Sequence, residues 1–161
     1  MRANADLENA LAHYTENHFC DVPIKNAITI RFGKKAKRQL GSIKMLPDKS
    51  TLITISGLFK DPKVPSYVVE ETIVHEFIHY AHGFSSPLKK SYEYPHKHGI
   101  MRREFEARGL LELHTKSKKW IKDNWQSYLQ KNGYHIQRRR RVYVNRDPLS
   151  QIVSKLSRYL R

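Results

Sequence analysis

The sequence predicts an α+β domain in which a small antiparallel sheet packs on one buried helix, with a helical extension at the C-terminal end. Three observations carry this. Short apolar runs of period two occupy residues 27 to 55, an apolar stripe at helical spacing follows from residue 66, and aromatic residues recur at helical spacing after residue 115. A chain of 161 residues with 39% hydrophobic content buries one proper core and is short for two. The expected division is therefore a compact core over 1–115 and a basic, mainly helical extension over 116–161.

The elements follow in order. Leu7, Leu11 and Tyr14 give residues 5–19 an amphipathic helical pattern that ends before Asp21-Val22-Pro23. Ala27 to Phe32 alternates and stops at Gly33, while Leu40 to Leu46 and Leu52 to Ile55 are separated by the turn signal Pro47-Asp48. The linker Asp61-Pro62-Lys63-Val64-Pro65 delivers a helix with Ser66 as expected N-cap and Gly83 as stop. A Ser, Pro and Tyr-rich loop covers 84 to 96. Helical patterns then run from 99 to 113 and from 115 to 130, the second with Trp120, Ile121, Trp125, Tyr128 and Leu129 on one face. The tail offers a strand near Arg141 to Val144, a break at Asp147-Pro148, and a short helix carrying Ile152, Val153, Leu156 and Leu160.

Composition bounds the function. No apolar run approaches the roughly 18 residues that span a bilayer, and the first twenty residues lack a signal peptide's apolar block. The expectation is a soluble, cytoplasmic protein without a membrane partner. The single cysteine, Cys20, excludes an internal disulfide framework and a four-cysteine zinc ribbon, and is expected to be a buried packing group. Net charge is +15, gathered at Lys34, Lys35, Lys37 and Arg38, at Lys116, Lys118 and Lys119, and at Arg138 to Arg141. Such clusters favour polyanions, nucleic acid first among them and hence nucleoid association, although a solvated cationic face has the same composition.

The stretch His75-Glu76-Phe77-Ile78-His79 carries the chemistry. Two histidines four residues apart on a helix stand about 6 Å apart along its axis on one face, so both imidazoles reach a single ion. Glu76 is turned about 100° from His75 around the helix. Its carboxylate reaches a water on the metal without displacing it, which is the general-base position of a Zn2+ peptidase. Val69, Ile73, Val74, Phe77, Ile78 and Ala81 form the apolar stripe of a buried helix, and Glu71, His75, His79 and His82 line a separate face.

A third ligand must come from a later segment, because one helix cannot close a tetrahedral site; this argues against His82. Ser85 stands where the extended motif of metzincins places its last histidine, so that pattern is absent. The candidates are His98, His96 and Glu104. His98 is preferred because Gly99 beside it permits close backbone approach, His96 is the alternative, and Glu104 follows.

From Ile28 to Leu113 the order of elements resembles the SprT-like zinc peptidases, the group that includes the Spartan proteases. The matches are the motif at 75–79, His98-Gly99, and Leu52 to Ser56 in the place of the strand before the active helix. This resemblance implies a zincin-like fold, His75, His79 and His98 as zinc ligands, Glu76 as base, and activity on proteins bound or crosslinked to DNA. Arg102 replaces the aromatic usually found four residues after the third histidine, and Phe105 is expected to take over its packing role.

The expected function is zinc-dependent endopeptidase activity on a protein or peptide substrate. The substrate is expected to pair with a sheet edge at Leu52 to Ser56, with Tyr92 or Tyr94 near the oxyanion. Two alternatives belong to other classes. One is a nucleic-acid-binding module with a structural metal, which requires a closed coordination sphere. The other is a regulatory peptidase cleaving a transcriptional repressor, which would usually carry a helix-turn-helix that is not evident here.

Overall fold

The computed structural model describes residues 1–134. The strand, break and final helix expected beyond residue 140, and the cluster Arg138 to Arg141, lie outside the described residues. The order is α1 (Asn4–His18), β1 (Ile28–Phe32), β2 (Gly41–Met45), β3 (Thr51–Ile55), a 3-10 turn (Gly57–Lys60), α2 (Ser66–Ala81), α3 (Ile100–Ala107) and α4 (Leu111–Lys131). Among the described residues no helix is long and apolar enough to cross a membrane.

The class is α+β as expected, but the sheet is mixed. Its order is β1-β3-β2, with β1 parallel and β2 antiparallel to β3. Alternation marks a segment as a strand and leaves its partner and direction open. Here β3 inserts between two strands that precede it. The β2–β3 hairpin is set by its turn, where Asp48 Oδ1 accepts from the Ser50 amide at 2.9 Å and its hydroxyl at 2.6 Å. Because β3 is central and paired on both sides, it cannot accept a substrate strand at Leu52 to Ser56. The sheet edge beside the cleft described below belongs to β2.

Helix α2 is the hub. Val69 and Ile73 pack with Ile30, Phe32, Ile53 and Ile55 of the sheet, and Val74, Phe77 and Ile78 pack with Phe19, Met101 and Phe105. Phe105 is fully buried, consistent with the packing role expected for it. The helix begins one residue earlier than expected from the sequence, since Pro65 and not Ser66 occupies the N-cap position. It stops at His82 and Gly83. Gly83 has φ +78, and a Cβ on it would lie 2.5 Å from the Lys89 carbonyl oxygen, so the turn requires glycine.

The helical pattern from residue 99 divides at Arg108 and Gly109, and α4 begins at Leu111. The expected boundary at residue 115 therefore falls inside α4. That helix buries Trp125, Tyr128 and Leu129 in the core beside Phe59 and Leu58, and Trp125 Nε1 donates to the Lys37 carbonyl at 2.9 Å. Cys20 is exposed rather than buried, because it lies just past α1, with Sγ 3.3 Å from the Glu16 carbonyl.

Candidate metal centre

His75 and His79 project from one face of α2 as their spacing dictates, with ring centroids 5.0 Å apart. The structure adds His96 to them. Its ring stacks on His75 at 5.3 Å and meets His79 edge-on at 4.7 Å. One nitrogen from each of the three lies within 4.8 Å of the others, close enough to hold a metal ion. Among the described residues no fourth His, Cys, Asp or Glu joins this group.

His98 and Glu104 are placed elsewhere. His98 and Gly99 both take left-handed backbone conformations, φ 55 and 68, which turn the chain into α3. The His98 side chain is exposed, and its carbonyl accepts from Arg103 at 2.7 Å. Glu104 lies 3.0 Å from His82 Nε2 and 3.4 Å from Arg108 Nε. Despite that proximity, neither nitrogen of the buried His82 imidazole makes a directed hydrogen bond. Tyr92 packs edge-on against His82 and Tyr94 sits under the Lys97 ammonium. Neither tyrosine lines the cleft that holds the three histidines.

That cleft has a volume of about 530 Å³ and is lined by β2 from Gly41 to Ile43, by α2 and by α4. Burial holds both α2 imidazoles in the neutral, metal-binding form: His75 falls to about 2, through desolvation and then the neighbouring His79 and Lys118 charges, and His79 to about 4. Glu76 lines the same cleft at 7% exposure. Desolvation, reinforced by Glu71, raises its carboxyl from 4.5 to about 7.

This raised carboxyl predicts a measurable cost. Between pH 4.5 and 7 the folded chain retains a proton that the unfolded chain has lost, so stability falls as pH rises through that window. Above pH 7 the cost is complete, at about 3 kcal/mol. Glu76→Gln in chelator-treated protein is therefore expected to gain about 2–3 kcal/mol at pH 8, with the gain vanishing towards pH 4.5. Urea unfolding at the two pH values measures it, and equal midpoints at pH 8 would mean that the carboxylate is solvated.

Two contributors were missed at the sequence level. Gly41 brings the β2 backbone against α2, where a Cβ would stand 2.5 Å from Glu76 Oε1 and 2.7 Å from Thr72 Cγ2. A lone glycine at a strand start gives no hint of this, although glycine in a strand does mark close approach. Lys118 enters the cleft from α4, where its sequence context is that of a solvated basic cluster. No family model, curated protein or solved structure matches this chain.

Proposed function

We propose that this chain is a zinc-dependent endopeptidase of SprT-like type, with His75, His79 and His96 as metal ligands and Glu76 as general base. The observation that carries the proposal is the arrangement of three imidazoles and a buried carboxyl in one open cleft beside the edge strand β2. Three imidazoles are a donor set that suits zinc, and three protein ligands leave a coordination position for water or substrate, as catalytic sites do. That favours catalysis over a structural site, which would have four protein ligands. When bound, zinc supplies Lewis acidity that polarises a carbonyl and acidifies water.

The chain's own groups do the rest. A substrate segment pairs with the outer edge of β2, whose Gly41 carries its backbone past Glu76. Glu76 takes a proton from the attacking water as its oxygen adds to the carbonyl carbon, and returns that proton to the amine nitrogen as the C–N bond breaks. A positioned carboxyl of this kind is suited to both transfers.

Action on proteins associated with nucleic acid is part of the proposal. Trp125 ties the Lys34 to Arg38 loop to α4, which carries Lys116, Lys118 and Lys119, and Arg38 and Lys118 both line the cleft. One residue from each of two basic clusters thus stands beside the site. The test is zinc content together with casein cleavage, with and without single-stranded DNA, for wild type and Glu76→Gln. One zinc per chain in both proteins is expected, with cleavage falling about 10²–10⁴-fold in the variant. Stoichiometric zinc without Glu76-dependent cleavage under any condition would sink the peptidase reading.

A further inference from the structure

The cleft wall between α2 and α4 holds a charged cluster that the general acid–base chemistry does not use. Glu71, one turn before His75, is 2% exposed. Its Oε1 lies 2.8 Å from His114 Nδ1 and 3.6 Å from Lys118 Nζ, and its Oε2 accepts from the Ser117 hydroxyl at 3.4 Å. The His114 ring is fixed in turn by stacking on Phe105, with centroids 4.4 Å apart. Glu71 is thus engaged by three residues of α4, and although it lines the cleft its side chain is almost wholly buried.

Lys118 is in the opposite position. Its side chain is 53% exposed and lines the cleft. A separation of 3.6 Å is an ion pair beyond hydrogen-bond range, so Glu71 orients the ammonium without using its N–H donors. A peptide extended along β2 sends alternate side chains to opposite faces. One set points towards α4. A basic side chain arriving there meets the Lys118 ammonium, whereas a carboxylate meets a donor already held in place.

We propose that Lys118 is a specificity-determining residue, and that this wall is a subsite for an aspartate or glutamate side chain flanking the scissile bond. The inference rests on the peptidase reading for its substrate, and its test is separable from that reading. Fluorescent peptide pools carrying a fixed Glu, or Gln in its place, at each position in turn are titrated against zinc-loaded Glu76→Gln protein. The same titration is run with Lys118→Met and Lys118→Glu added, while zinc content and urea midpoint report folding.

At one position the Glu pool is expected to bind about tenfold more tightly than the Gln pool. Lys118→Met, which keeps the stem's packing, should remove that preference, and Lys118→Glu should shift it to pools with fixed Lys. Equal binding of both pools, no binding of either, or a Glu preference that survives Lys118→Met overturns the subsite. Glu preference that depends on Lys118, in a protein whose wild type cleaves nothing, overturns only the peptidase reading. Cleavage that depends on Glu76 but is indifferent to Lys118 overturns only the subsite.

Discussion

His96→Ala is expected to strip zinc from the protein, whereas His98→Ala keeps it at one per chain. The His96 imidazole stacks on His75 and meets His79, so its removal leaves two donors on one helix. Losing a group that merely supports a ligand costs about 10–100-fold in metal affinity. Losing a ligand should exceed that, and casein cleavage should disappear with the metal. The His98 side chain is exposed and outside the group, and the residue's role is to turn the backbone into α3. Its replacement should leave zinc affinity within about threefold, a change of well under 1 kcal/mol. Zinc content after dialysis against a weak chelator separates the two, and loss of metal from His98→Ala with retention by His96→Ala would reverse the assignment.

These two histidines show where sequence periodicity runs out. His75 and His79 are legible because a helix of 3.6 residues per turn places positions four apart on one face, and the apolar stripe beside them identifies the helix. The loop of residues 84 to 99 has no such period. Which of its histidines faces α2 depends on left-handed residues at Ser85, His98 and Gly99 and on bonds such as Phe84 N–H to the His79 carbonyl. A preference for the histidine beside a glycine was a rule about backbone approach, but Gly99 uses its freedom to start α3.

The sheet illustrates a second limit. All three strands are visible as apolar alternation, yet β1 pairs with β3 in parallel, an arrangement that depends on how the Gly33 to Leu40 loop carries the chain past the place β3 later fills. This also decides which edge is open to a peptide. Lys118 was hidden for another reason. A lysine among Lys116 and Lys119 has the composition of a solvated surface, and only the fold brings it beside Glu71.

Ending the chain at residue 115 is expected to abolish cooperative folding rather than release an intact catalytic core. The charge of 116–119 makes the segment look like an appendage, but the apolar face that follows belongs to the centre of the domain. Trp125 meets Phe59 edge-on at 5.7 Å and stacks on Tyr128 at 5.2 Å, and Leu129 is fully buried. Burying each such side chain contributes about 1.5–3 kcal/mol. Removing three, with Ser117 and Lys118 beside Glu71, approaches the entire 5–15 kcal/mol by which a domain of about this size is stable. A graded test keeps the chain whole: Trp125→Ala should cost about 3–5 kcal/mol, and Trp125→Phe much less. Thermal unfolding followed by near-ultraviolet circular dichroism measures both. A 1–115 fragment with a sharp transition and bound zinc would restore the boundary at residue 115 and assign α4 to a separate unit. Because Ser117 and Lys118 join α4 to Glu71 on the wall of the metal cleft, loss of the helix beyond residue 115 should also open that wall and expose His75 to solvent, so metal binding and folding are expected to fail together.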